Sequence, residues 1–153
     1  MTIHYKISPR DSAAHLFSID LTIPSPNPAG QLIWLPAWIP GSYLIREFAR
    51  NIVSIEARAN GEPVSLRKAD KLSWVVSPVS GPLTSTYVVY AYDLSVRGAY
   101  LDGERGFFNG TSVFLAVKGQ EQSACEVEVV YPEQTNWRIA TTLQPVQIDE
   151  AAF

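Results

Sequence analysis

The sequence predicts an all-β fold: an antiparallel β-sandwich or saddle-like sheet with at most a short helical turn. Apolar and polar residues alternate with period two in four segments, a pattern typical of strands with one buried face. Turn residues separate these segments at roughly the 8–12-residue spacing of antiparallel sandwiches and barrels. Only residues 43–50 have a helical pattern, so we expect helix to contribute little.

The predicted strands are 17–23, 53–59, 87–96 and 125–129. In 17–23 the odd positions are apolar and the even positions polar, which predicts a half-buried strand. One face of 87–96 carries Val88, Tyr90, Tyr92, Leu94 and Val96, and the other face begins with Tyr87, Val89 and Ala91. Because this strand starts apolar on both sides, we expect it in the middle of a sheet.

Turn signals lie between these strands. Asn60-Gly61 separates two strand-like runs and predicts a tight hairpin, because both turn positions need positive φ. An irregular connection follows from Pro24, Pro26 and Pro28, and Ser80-Gly81-Pro82 marks another turn.

Residues 34–43 do not read as an ordinary sandwich strand, because they contain two tryptophans and two prolines. Since proline lacks the N–H of the ladder, we expect an edge strand that leads into a turn. A packing corner is the preferred reading and an aromatic docking ridge the alternative. A short helical turn could follow over 43–50 with Ser42 as its N-cap, and it would place Arg46 and Arg50 on one face.

A glycine-rich segment, residues 97–111, lies between two predicted strands. It holds four glycines, two arginines, two acidic residues and three aromatic residues. Long ordered loops are often functional. A mobile hairpin extension is the alternative, but adjacent Phe107 and Phe108 favour burial or contact with a partner.

Composition excludes several function classes. The 153 residues carry 12 Lys plus Arg against 15 Asp plus Glu, a net charge of -3, so we expect no nucleic-acid partner. No segment approaches the roughly 20 apolar residues of a membrane span, so no membrane partner is expected. The single Cys125 excludes a multi-cysteine metal site and is expected to be an inert core residue. His4 and His15 form no His-Glu-x-x-His motif, so we expect surface or strand-end histidines and no complete hydrolase.

Residues 35–50, Leu-Pro-Ala-Trp-Ile-Pro-Gly-Ser-Tyr-Leu-Ile-Arg-Glu-Phe-Ala-Arg, resemble the N-terminal signature of the glycyl aminopeptidase family. These are PDZ-carrying zinc metallopeptidases of the gluzincin group. The segments 70–74, 93–102, 107–111 and 137–141 are also similar to the family, so the resemblance runs over nearly the whole chain. The block Trp38-Ile39-Pro40-Gly41-Ser42-Tyr43 is its specific part.

The resemblance implies that residues 1–153 form a single N-terminal β-domain of a larger enzyme, whose thermolysin-like catalytic domain and PDZ domain are absent. It implies no cofactor in this chain and a zinc ion in the missing catalytic domain. The partners would be that catalytic domain and peptide substrates with a small N-terminal residue, glycine or alanine. A homo-oligomer remains open. A cytoplasmic location is favoured, with the periplasm as the alternative if a signal was removed.

By the same resemblance, a loop of the N-terminal domain reaches the substrate cleft. The candidate cleft residues are Asp102, Glu104, Phe107, Phe108 and Asn109. Phe107 and Phe108 would wall a small side-chain pocket, and an oxygen of Asp102, Glu104 or Asn109 would accept hydrogen bonds from the substrate ammonium. The candidate residues for the contact with the catalytic domain are Trp34, Trp38, Tyr43, Arg46 and Arg50.

Two other readings remain open at this point. The chain could be a free-standing β-sandwich that binds protein or carbohydrate through an aromatic platform. It could also be a structural or oligomerisation domain, with an unpaired edge beside residues 34–39 that pairs across a symmetry axis.

Overall fold

Strands dominate the structure, a computed structural model that describes residues 1–146. The twelve strands in this part of the chain are β1 (Ile3–Asp11), β2 (Leu16–Ile23), β3 (Gln31–Trp34), β4 (Ile52–Ala59), β5 (Glu62–Val64), β6 (Leu66–Lys68), β7 (Ser73–Val76), β8 (Leu83–Tyr90), β9 (Ala99–Leu101), β10 (Gly106–Phe108), β11 (Ala116–Val117) and β12 (Cys125–Val129). The helical parts are a 3-10 turn at Phe48–Asn51 and the one-turn helix α1 at Gly110–Val113. The predicted all-β fold is therefore confirmed.

The strands form one large sheet and two smaller ones. The large sheet has the order β12-β1-β2-β8-β4-β5, and the others are β11-β3-β7-β6 and β10-β9. Every pairing is antiparallel except that of β1 with β12, which is parallel and joins the start of the chain to its C-terminal part. Strand β8 lies between β2 and β4, so the central position predicted for this strand is confirmed.

Alternation along the strands separates the core from the surface. In β2 the side chains of Phe17, Ile19, Leu21 and Ile23 are buried while the intervening residues are partly exposed. They share one hydrophobic cluster with Ile33 and other residues of the four-stranded sheet. Burying a large apolar side chain contributes about 1.5–3 kcal/mol, so this shared cluster is what holds the two sheets together.

The turn that follows β4 matches the sequence prediction, whereas the start of β4 does not. Asn60 and Gly61 adopt φ of 52° and 79° between β4 and β5, which confirms the predicted hairpin turn. At the start of β4 the register against β8 shifts between Ile52 and Ser54, and Val53 is exposed. A bulge of this kind interrupts the alternation predicted for 53–59.

The predicted strand 87–96 is too long at its C-terminal end. Strand β8 ends at Tyr90, opposite Leu16, the first residue of β2. Since the neighbouring strands have no further residues to pair there, the chain leaves the sheet. Leu94 and Val96 then lie in a loop, 70% and 72% exposed, rather than on a strand face.

The edge strand expected in 34–43 and the helical turn expected in 43–50 are also corrected. Strand β3 ends at Trp34, which pairs with Ala116 on one side and Ser73 on the other, so no open edge lies beside it. The turn is 3-10, begins only at Phe48 and has no side-chain cap. The Ser42 hydroxyl instead bonds to the backbone of Leu44, so it does not cap the turn.

Three residues with reactive side chains, Cys125, His4 and His15, lie at or near strand ends. Cys125 is exposed at the first residue of β12, so its predicted place in the core is wrong. The reason is that β12 is an edge strand that pairs only with β1. His15 lies in the turn between β1 and β2, and His4 is exposed beside Glu126, so both histidines are at the surface or strand ends as predicted.

Candidate functional site

Exposed apolar side chains concentrate on two loops. The first loop, 37–46, presents Trp38, Tyr43, Leu44 and Ile45, and the second, 92–98, presents Leu94 and Val96. We call these six residues the docking ridge. Exposed apolar groups of this size mark surfaces that contact a partner more often than scattered surface residues do.

Polar contacts hold the two loops of the docking ridge side by side. The Arg97 guanidinium donates to the Gly41 carbonyl at 3.4 Å. The Arg46 guanidinium lies 3.9 Å from the Asp93 carboxylate. Within the first loop, the Trp38 indole N–H donates to the Ser42 carbonyl at 2.9 Å, which fixes the ring at the surface. The ridge is therefore one surface made of two segments distant in sequence.

The five residues proposed for the contact with another domain lie in different environments. Trp38 and Tyr43 belong to the docking ridge, and Tyr43 is fully exposed. Trp34 is partly buried in β3, and its indole nitrogen is buried without a partner among residues 1–146. Arg46 faces Asp93 of this same domain. Arg50 lies in the 3-10 turn and lines a cavity described below.

In the predicted cleft loop, the hairpin β9–β10 commits Asp102 to a structural role. Its carboxylate accepts hydrogen bonds from the backbone N–H groups of Glu104 and Arg105, each at 2.8 Å. These two bonds lower the pKa of Asp102, and Tyr100 adds a smaller effect in the same direction. In turn, the hydrogen bond to Asp102 raises the pKa of Tyr100. Asp102 thus closes the hairpin turn and has less capacity for a ligand.

The other four cleft candidates divide into two pairs. Asn109 caps α1 by accepting from the Thr111 N–H and hydroxyl, and Phe108 packs edge-on against Phe17 at 5.8 Å between ring centroids. These two residues support the fold. Phe107 and Glu104 are exposed and remain accessible to a ligand.

Sequence reasoning missed a cluster of aromatic rings at the end of β8. Tyr92 stacks on Tyr100 with 5.7 Å between ring centroids, and the His15 ring lies 4.4 Å from Tyr92. Tyr90 joins the cluster at 6.4 Å from Tyr92. The sequence shows the Tyr-x-Tyr spacing at 90–92. Because the predicted strand continued to Val96, nothing in the sequence indicated that these tyrosines lie at the end of the sheet.

A cavity of about 280 Å³ opens between this cluster, the 3-10 turn and the loop of the docking ridge. Its lining includes Arg50, Tyr90, Tyr92, Asp93 and Ser112. A basic group, an acidic group and phenol rings thus surround one small space.

Within residues 1–146, no group of three or more His, Cys, Asp or Glu side chains is arranged to hold a metal ion. Over the same part of the chain, no helix has the length and apolar character to cross a membrane.

Two comparisons with known proteins relate this chain to peptidases. A family model described as the Peptidase M61 N-terminal domain matches residues 4–153. The chain is also similar to the crystal structure of an aminopeptidase N family protein from Idiomarina loihiensis, with 46% sequence identity and a TM-score of 0.82. That match covers 86% of this chain and 22% of the other, so this chain spans about a fifth of that protein's length. No curated protein matches.

Proposed function

Because this chain belongs to the Peptidase M61 N-terminal domain family, we propose that it packs on the catalytic domain of a zinc-dependent aminopeptidase and helps to shape the substrate cleft. The observation that carries this proposal is the docking ridge. The docking ridge exposes six large apolar side chains on two loops that polar contacts join. Leaving them in water is costly, and a domain contact would cover them. The similar aminopeptidase family chain, of which this chain covers 22%, supports a partner in the same polypeptide.

The substrates in this proposal are peptides with glycine or alanine at the N-terminus. In such enzymes the zinc ion polarises the scissile carbonyl and activates water. The contribution of this domain is to position the peptide, which speeds a reaction by holding the reacting groups in place. Phe107 would limit the space for the first side chain, and the Glu104 carboxylate would accept a hydrogen bond from the substrate ammonium.

Charge placed in the docking ridge tests the domain contact. Leu44→Glu and Ile45→Glu should each weaken association of the 153-residue chain with the catalytic domain and lower kcat/KM of the combined enzyme at least about tenfold. The reason is that a buried unpaired carboxylate costs several kcal/mol. Leu44 and Ile45 are 65% and 68% exposed, so neither change should alter the thermal stability of the chain alone.

The matched control is Val53→Glu, since Val53 is a 63% exposed apolar residue on the β4 bulge, outside the docking ridge. Association measured by sedimentation and activity on alanyl and glycyl substrates should be unchanged in this variant. If Val53→Glu and the ridge variants behaved alike, the docking ridge would not be the contact.

Substrate positioning is tested separately in the combined enzyme. Phe107→Ala should raise kcat/KM for leucyl relative to glycyl substrates, because it enlarges the side-chain pocket. Glu104→Gln should raise KM for every free amino terminus. Glu62→Gln, on the distant β4–β5 hairpin, is the control. Unchanged preference and KM in both loop variants would remove the loop from the cleft and leave the docking contact standing.

A further inference from the structure

The cavity described above borders the loop 92–98 of the docking ridge. Its volume of about 280 Å³ lies at the lower end of the roughly 300–1,000 Å³ typical of ligand pockets, so a ligand there is small. Phe48, Val89 and Ala99 supply apolar surface, while Arg50 and Asp93 bring opposite charges from two separate segments. A site of this composition suits a small molecule that carries both charges.

The Asp93 carboxylate has capacity for a further hydrogen bond. One oxygen accepts from the backbone N–H of Ser95 at 2.8 Å. The other lies 3.9 Å from Arg46, which is longer than a hydrogen bond. The Asp93 side chain is half-exposed, so this oxygen can receive an ammonium group.

The Asp93 carboxylate can occupy its position because residue 98 is a glycine. A Cβ atom at Gly98 would lie 2.5 Å from the second Asp93 oxygen and 2.8 Å from its carboxyl carbon, closer than atoms can approach. Gly98 also lines the cavity. A side chain at position 98 would therefore occupy the space that the Asp93 carboxylate fills beside the cavity.

The opposite charge comes from the 3-10 turn. Among residues 1–146, the Arg50 guanidinium has no carboxylate within 4.0 Å and no hydrogen-bond acceptor, so its fork of donors is available to a carboxylate ligand. Tyr90 and Tyr92 add phenol hydroxyls and ring faces, and a ring face attracts a cation.

We propose that this cavity binds a free amino acid with a small side chain, with Asp93 receiving the ammonium group and Arg50 the carboxylate. This site goes beyond the proposed docking and positioning role. It would take the same class of molecule that an aminopeptidase releases.

The test titrates the ¹⁵N-labelled 153-residue chain with L-alanine and follows amide chemical shifts. Alaninamide lacks the carboxylate, and N-acetylalanine lacks the ammonium group. We expect saturable shifts at cavity residues with alanine and at least about tenfold weaker binding of both analogues, the loss typical of one charge-assisted hydrogen bond. No saturable shift, or equal binding of alanine and either analogue, would overturn the proposal.

Variants assign the two charges. Asp93→Asn retains an acceptor for the Ser95 N–H, and Arg50→Gln keeps a polar side chain at an exposed position, so both should fold and each should weaken alanine binding about tenfold or more. Glu56→Gln and Arg58→Gln are the matched controls, because they remove an exposed pair on β4. Equal affinity in the Asp93, Arg50 and control variants would refute the assignment. Since the titration requires no peptidase activity, its failure would leave the docking proposal intact.

Discussion

The Tyr87 hydroxyl joins the large sheet to the end of α1 and to the segment that follows it, and removing this hydroxyl should lower the free energy of unfolding. Tyr87 is completely buried in β8. Its hydroxyl donates to the Val113 carbonyl at 2.8 Å and accepts from the Leu115 N–H at 3.2 Å. Val113 and Leu115 are also fully buried, so water cannot replace the missing partner in Tyr87→Phe.

The magnitude follows from the two groups left without a partner. A buried donor or acceptor that loses its partner costs about 1–3 kcal/mol, so two of them should lower the free energy of unfolding by about 3 kcal/mol. For a domain of this size that loss corresponds to about 6–12 °C in Tm. Phenylalanine fills the same space apart from the hydroxyl, so little of the effect comes from a cavity.

Tyr5→Phe is the matched control. Tyr5 is also buried, but its hydroxyl makes one hydrogen bond, to the Leu115 carbonyl at 2.7 Å, and its loss should cost about 1 kcal/mol. Urea unfolding followed by tryptophan fluorescence measures both variants, and the m-value should stay constant. A loss in Tyr87→Phe no larger than that in Tyr5→Phe would refute the reasoning.

Three further predictions concern pH and glycine positions. Burial raises the pKa of Tyr87. The stability that this shift contributes is fully present below the unfolded pKa of about 10 and is lost as pH rises above it. The urea midpoint should therefore fall from pH 8 to 11, and it should fall less steeply in Tyr87→Phe. Gly61→Ala should cost about 1–2 kcal/mol, because φ there is 79°, whereas Gly103→Ala, in open space, should be nearly neutral by the same urea assay. Gly98→Ala should cost about 1 kcal/mol by forcing the half-exposed Asp93 side chain out of its rotamer, and an unchanged Tm would contradict the crowding.

Local sequence signals were sufficient where one chemical rule decides the structure. Asn60-Gly61 predicted its hairpin because both residues tolerate positive φ, and 17–23 predicted β2 because only one face is buried. The parallel pairing of β1 with β12 left no such signal. It joins Ile3 to Cys125, and its register depends on the packing of the whole domain. For the same reason the exposure of Cys125 was not predictable from the alternation around it.

The candidate site was predictable in its parts and not in its arrangement. The Trp38 block and the loop 97–111 were both visible in the sequence, yet Asp102 and Asn109 are occupied by turn and cap hydrogen bonds that depend on the local backbone. Asp93 carried no signal of its own. Its position beside the cavity depends on the missing side chain at Gly98 and on the end of β8.

One topological event connects the docking ridge, the aromatic cluster and the cavity. Strand β8 has neighbours on both sides only as far as Val89, but the apolar alternation that includes Tyr90 continues through Tyr92, Leu94 and Val96. Along β8 the odd-numbered side chains of Leu83, Tyr87 and Val89 fill the core. From Tyr90 onward the apolar side chains of the other face are exposed to solvent. Apolar periodicity that outlasts the available strand partners is therefore evidence for an interface, because the side chains retain a need for burial that this domain alone does not meet.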